Sequence, residues 1–277
     1  MPDQLLHKFI YVLLSGFTEF LPVSPRAHQL LYELLTGFRL NDTMVSLAIH
    51  LGTTAALILN CKKRIQHLFR ANRIARYARR HRNTHVDTTA ILDTRVLKTA
   101  ALPMIISIFL IRRAEAWVSS FAMLALMLTL SGLLLFIPRI IPKGNKDGRN
   151  LNAMDSVIMG LGGALSAIPG FSGIGSFLSA AHLRGVDRNY ALDTALLATI
   201  PVLFGLLVMD VFSILGSKLL ISGLGLLMYF LMAVFAFFTG YLAIVFVRFL
   251  CMKTSFSRFS YYSWGMAMFT FMLYLLI

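Results

Sequence analysis

The chain has 277 residues, of which 57% are hydrophobic and only 14% charged, with a mean hydropathy of +0.74 and a formal net charge of +14. A soluble domain carries roughly 25% charged residues, so the composition excludes an ordinary globular enzyme and points to a protein whose solvent is lipid. In a soluble chain the positive charge would suggest nucleic acid. Here the basic residues fall between apolar runs, where they set topology and meet anionic headgroups, and no nucleic-acid partner is expected.

The first apolar segment, 5–23, is interrupted near its end by Gly16, Glu19 and Pro22, which also argues against a cleavable signal peptide. Ser24-Pro25 then reads as a helix start, with a short helix over about 25–37. A span follows at 45–60, then a basic loop at 62–82 holding Lys62, Lys63, Arg64, Arg70, Arg73, Arg76, Arg79, Arg80 and Arg82. The positive-inside rule places this loop in the cytoplasm. Spans at 97–111 and 118–138 lead to a second basic cluster, Arg139, Lys143, Lys146 and Arg149, on the same side; Arg112 and Arg113 fall on the other side as the one departure.

A second interrupted segment, 154–171, carries Gly160, Gly162, Gly163, Pro169 and Gly170, and a short helix over about 173–184 follows it. Spans at 192–209, 221–247 and 260–277 complete the chain, with Arg248, Lys253 and Arg258 between the last two. These runs approach or exceed the roughly 20 residues that cross a bilayer core of about 30 Å. They lack the alternation of transmembrane strands and are expected to be helices, which pair their own backbone groups. Cys61 and Cys251 lie near helix ends and show no metal or disulfide spacing.

The expected fold is therefore an all-α, multi-pass integral membrane protein, one membrane domain with about six spanning helices and two re-entrant helix pairs. The two interrupted segments occupy corresponding places in halves of about 1–140 and 151–277. In each, a glycine precedes a proline by six residues, Gly16 to Pro22 and Gly163 to Pro169, and a serine follows, Ser24 and Ser172. Such pairing points to an inverted repeat with a site between the breaks.

A helix N-terminus is an anion site, and two of them meeting at the breaks would hold a phosphate group. Ser172-Gly173 is a second candidate start. Glu19 is a carboxylate in an apolar stretch, which by default marks a functional site. His28 lies one helical turn after Ser24. Glutamate, serine and histidine at one break make either the inventory for phosphoryl chemistry or a polar cluster that stabilises the turn, with Ser24 only a cap. His50 reads as a hydrogen-bonded interior histidine, Asp193 and Asp210 as residues near helix ends, and Arg188 as a loop or interface residue. Gly52, Gly132, Gly163 and Gly205 suit close helix packing.

At SGFTEFLPVSPRAH (15–28) and IPGFSGIGS (168–176) the chain resembles the undecaprenyl-diphosphatase, or bacitracin-resistance, family, whose segments read E-G-x-T-E-F-L-P-V-S-S-x-G-H and P-G-x-S-R-S-x-x-T. The resemblance extends through AIHLGTTAALIL (48–59) and RGVDRNYALDTALLATIP (184–201). It implies six spans with two re-entrant pairs as inverted repeats in the bacterial cytoplasmic membrane, and a site open to the outer face. The implied reaction removes the terminal phosphate of undecaprenyl diphosphate, in carrier-lipid recycling for the cell wall, assisted by a divalent cation, magnesium or calcium.

Carried across, Glu19, Ser24 and His28 would be catalytic, Glu19 would also hold the metal, and Ser172 would bind phosphate. The departures are Ser15 for the first glutamate, Pro25 for the second serine, Arg26 for the following residue and Ala27 for the glycine. In the second segment Gly173 stands for the arginine, Ile174 for a serine and Phe177 for the threonine. Arg26, at the other break, is a candidate to supply the missing positive charge, so Arg26, Ser172 and Gly173 form the expected phosphate-binding set. Three functions follow: a polyprenyl-diphosphate phosphohydrolase, a non-catalytic polyprenyl-phosphate carrier or flippase, and a membrane scaffold. The expected partners are a polyprenyl (diphospho)lipid and membrane lipids, with a homodimer left open.

Overall fold

The structure, a computed structural model, describes residues 2–40, 42–78, 86–118, 120–217, 223–253 and 256–276. Among these, all regular secondary structure is helical apart from one isolated bridge between Lys146 and Val186. The helices are α1 (Pro2–Thr18), α2 (Pro25–Thr36), α3 (Thr43–Ala78), α4 (Thr88–Ser107), α5 (Ile111–Trp117), α6 (Phe121–Ile140), α7 (Ala153–Ala164), α8 (Gly173–Leu183), α9 (Arg188–Gly216), α10 (Gly223–Lys253) and α11 (Phe259–Leu276).

Of these, α3, α6, α9 and α10 are long and apolar enough to cross a membrane. The expected span at 97–111 falls on α4, which opens on polar sequence containing Asp93, Arg95 and Lys98; the one at 260–277 falls on α11, whose first turns are rich in serine and tyrosine. Large apolar side chains such as Phe109, Phe212, Phe230 and Met268 point outward, more than half exposed. Outward apolar surface on this scale is the mark of a lipid-facing protein, and the chain is an all-α membrane protein.

One boundary differs from the sequence expectation. The segment read as a basic loop continues α3 as helix to Ala78, which places Cys61 in mid-helix rather than near an end. The physical reason is composition: 43–78 contains no proline and one glycine, and its Arg, Lys, Ala, Leu and Gln residues are strong helix formers. Arg79, Arg80 and Arg82 lie outside the described residues, as do the side chains of Arg112, Arg113 and Lys253.

Packing runs chiefly between α3 and α10, α6 and α11, α4 and α7, and α3 and α9. Small residues set the closest approach. A Cβ on Gly52 of α3 would collide with the Ala233 carbonyl oxygen and lie 2.7 Å from the Ala236 Cβ of α10. That contact lets two backbones approach where van der Waals packing, not hydrophobic burial, drives association. The short α8 lies inside this frame, with Phe177 and Ala181 fully buried, while α2 buries Ala27 at its start and exposes Leu34 and Leu35 near its end.

Candidate functional site

Each break is built by local capping. α1 stops at Thr18, and Ser24 caps α2: its backbone is extended (φ −85°, ψ 112°) and its Oγ accepts from the Ala27 amide at 3.2 Å. Pro25 occupies the first helical position, where its missing N–H costs nothing. In the second break a short turn of 3-10 helix, Leu165–Ala167, leads to Gly170, whose φ of 108° lies in the region that favours glycine. Ser172 then caps α8, accepting from the Gly175 amide at 3.0 Å.

The two caps also reach across to each other's break. The Gly170 amide donates to Ser24 Oγ at 3.0 Å, and Ser172 Oγ donates to the Leu21 carbonyl at 3.0 Å. Ser24 and Ser172 are both buried. The breaks are thus cross-braced by one pair of serines, each of which caps its own helix.

Beside this brace lies a cavity of about 110 Å³, room for a small anionic group with a few waters. Its wall includes Glu19, Pro25, Arg26, His50, Gly173 and Thr199. The first residues of both α2 and α8 therefore face one space, with a carboxylate, a guanidinium and an imidazole around it. Arg26 Nη1 donates to Gln29 Oε1 at 3.3 Å, and Gln29 Nε2 donates to Ser15 Oγ at 2.8 Å. Ser15 in turn donates to the Tyr11 carbonyl at 2.6 Å and is fully buried.

The sequence-expected residues separate into two groups. Glu19, Arg26 and Gly173 share the cavity wall. Ser24, Ser172 and His28 are not part of that wall. His28 Nδ1 is 2.6 Å from the Ser24 carbonyl oxygen, its Nε2 is 2.6 Å from the Tyr262 hydroxyl on α11, and its ring stacks on Tyr262 at a centroid distance of 5.8 Å. His50, read from the sequence as an interior histidine, is hydrogen-bonded and also on the wall: its Nδ1 is 2.6 Å from Asp210 Oδ2 on α9. Asp193 accepts from Arg248 Nη1 at 2.6 Å, and Arg188 opens α9 with Nη1 3.4 Å from the Cys251 carbonyl. The one signal for the His50–Asp210 pair was two polar residues in apolar helices; nothing in the sequence joined them across 160 positions.

A divalent cation resident without substrate needs several oxygen ligands from the protein, whereas magnesium otherwise binds through one or two carboxylates plus substrate phosphates and water. Among the described residues the cavity wall offers one carboxylate, Glu19, with Asp210 bonded to His50, and Ser15 stands bonded to Gln29 where the resemblance would put a second glutamate. Among the described residues no group of three or more His, Cys, Asp or Glu side chains is placed to hold a metal. The donor set does not fit a cation held by these side chains without substrate.

Comparison with known proteins adds an independent line. Residues 8–269 match the family model described as bacitracin resistance protein BacA. The chain is 25% identical over 260 residues to the undecaprenyl-diphosphatase of Halothermothrix orenii, covering 94% of each protein. It is 29% identical over 270 residues to undecaprenyl-diphosphatase 1 of Shouchella clausii, covering 97% of this chain and 96% of that one. It is 30% identical over 204 residues to the undecaprenyl-diphosphatase of Syntrophotalea carbinolica, covering 72% and 74%.

Proposed function

From the premise that this chain belongs to the bacitracin resistance protein BacA family, we propose that it is a membrane phosphohydrolase that releases the terminal phosphate of a polyprenyl diphosphate, undecaprenyl diphosphate first among them. The observation that carries the reading is the shared cavity, where the first turns of α2 and α8 meet Glu19, Arg26 and His50. Helix N-termini present unpaired N–H groups and positive dipole ends to a phosphate. Arg26 adds the one guanidinium in place of the arginine that the family pattern puts at position 173.

In this reading a water attacks the terminal phosphorus and Glu19 takes its proton. The bond to the bridging oxygen breaks, and the products are the polyprenyl monophosphate and inorganic phosphate. Arg26 and the helix ends hold the phosphate oxygens as charge builds on them. Ser24 stays a cap and brace, because its Oγ already accepts two amides. Because the donor set does not fit a resident cation, no step passes through one. The two helix–break–helix units are re-entrant pairs of an inverted repeat, halves 1–140 and 151–277, in the cytoplasmic membrane, with the cavity reached from the outer face.

A second reading, a non-catalytic polyprenyl-phosphate carrier or flippase, is favoured by the substitutions Ser15, Pro25, Gly173 and Ile174 in and around the same cavity. The deciding experiment measures phosphate release from undecaprenyl diphosphate by the purified full chain, with EDTA, magnesium or calcium, beside Glu19→Gln and Arg26→Gln. The phosphohydrolase reading expects release that persists in EDTA and falls on the order of 10²–10³-fold in each variant. Folded protein that binds the lipid and releases nothing under any condition replaces it with the carrier.

A further inference from the structure

A second basic recess lies away from the cavity, where α6 ends, α9 begins and α11 begins. It is a groove of about 660 Å³ whose wall includes Arg139, Lys143, Arg188, Arg258 and Tyr261 and, among the described residues, no acidic one. Four cations around one groove with no carboxylate among them repel one another, an arrangement that is stabilised when an anion enters.

The groove's level in the membrane is fixed by the helices that bound it. Arg139 stands in the last turn of the apolar helix α6, and Arg188 is the first residue of α9; both helices are long and apolar enough to span. Charges at the ends of two spans sit at the headgroup layer. The groove also has the amphipathic lining of that layer. Arg139 donates to the Tyr261 hydroxyl and lies 5.7 Å and 5.8 Å from the ring centroids of Phe136 and Tyr261. Arg188 lies 6.0 Å from the Phe256 ring. Ile140 beside it is 71% exposed, an apolar surface suited to acyl chain rather than water. Aromatic contacts hold the Arg139 and Arg188 guanidiniums in place, and Arg139, Lys143 and Arg258 are all exposed.

We propose that this groove is a binding site for the phosphate headgroup of an anionic phospholipid, separate from the cavity between the breaks. Arg139 and Arg188 form its fixed floor, and Lys143 and Arg258 close over the headgroup from the rim. The proposal does not rest on the phosphohydrolase reading, and its test does not read activity.

The test is retention of lipid by the full-length protein in neutral detergent, titrated with dioleoyl phosphatidylglycerol or dioleoyl phosphatidylcholine and counted by native mass spectrometry. The variants are Lys143→Gln/Arg258→Gln, two exposed side chains whose loss leaves the fold intact, and Arg73→Gln/Arg76→Gln on the basic extension of α3 as a charge-matched control. Wild type is expected to retain phosphatidylglycerol over phosphatidylcholine. The groove double variant is expected to bind phosphatidylglycerol roughly 10- to 30-fold more weakly, from about one kcal/mol per basic residue at an anionic surface, and the control variant less than threefold more weakly. Equal losses in both double variants would reduce the effect to net charge and overturn the site. Displacement of phosphatidylglycerol by millimolar inorganic phosphate would assign the groove to free phosphate and overturn the lipid.

Discussion

Ser24→Ala separates a brace from a nucleophile. Ser24 Oγ accepts from the Ala27 amide at 3.2 Å, inside its own helix, and from the Gly170 amide at 3.0 Å, across the breaks. The side chain is only 3% exposed, so neither amide has water to turn to. Loss of the cap costs about 1 kcal/mol, and an unsatisfied buried donor about 1–3 kcal/mol, so the variant should lose about 2–4 kcal/mol. At 2–4 °C per kcal/mol for a chain of this size, the melting midpoint in detergent should fall by about 4–16 °C. Ser172→Ala removes the reciprocal donation to the Leu21 carbonyl, and the double variant should lose less than the sum of the two, since both bonds hold the same pair of breaks. The assay pairs thermal unfolding with phosphate release measured well below both midpoints. An unchanged midpoint with release abolished would refute the brace and restore Ser24 as the attacking group.

Two further outcomes follow from the same geometry. Arg26 and Gly173 share one cavity, and a Cβ at position 173 meets nothing closer than the Ser166 Cβ at 3.0 Å, so an arginine enters there with a small shift. Gly173→Arg should therefore recover at least tenfold of the phosphate release lost in Arg26→Gln, a gain that a purely structural role for Arg26 would not produce. The second concerns pH. Burial raises the Asp42 carboxyl, but hydrogen bonds from Lys8 and Tyr229 outweigh it and hold the group below its ordinary 3.8. A depressed folded pKa contributes stability above the unfolded value and loses it as pH falls through the folded one. Asp42→Asn should thus melt below wild type from neutrality down to about 3.8, with the gap closing at lower pH.

The helix starts were legible because capping is local. A serine in extended conformation, followed by proline or glycine, satisfies an amide three residues on, and the sequence carries both ends of that bond. The second bond of each serine spans 146 and 151 positions and has no local signature. The same limit applies to His28. Its spacing from Ser24 correctly put it one turn up α2, where its Nδ1 meets the Ser24 carbonyl, but which way Nε2 faces was decided by Tyr262, 234 residues away. The end of α3 was misread for a different reason. Charge marks where the chain leaves the bilayer but not where the helix ends, because Arg-, Lys- and Ala-rich sequence has no cause to stop there.

The departures from the family pattern fall more on the cavity wall than on the braces. Of the polar residues that match it, Ser24, Ser172 and His28 hold backbone or neighbouring helices, and only Glu19 stands on the cavity wall. Of those that differ, Pro25, Arg26, Gly173 and Ile174 stand on the wall, while Ser15, Ala27 and Phe177 do not. The braces are held by stability whatever the wall does, because removing either serine exposes buried polar backbone groups at a cost of about 1–3 kcal/mol each. With the braces in place the two helix ends meet at one cavity, so the backbone groups that the proposed function assigns to the phosphate stay in position whatever side chains surround them. The rewritten wall is also internally consistent: position 173 loses a guanidinium and position 26 supplies one across the same 110 Å³ space, while Ser15, in place of a carboxylate, joins Gln29 and so anchors Arg26. Gln29→Leu should therefore weaken the response to Arg26→Gln, because an unanchored guanidinium has less to lose. A full-sized Arg26 effect in the Gln29→Leu background would break the chain of support from Ser15 to the cavity.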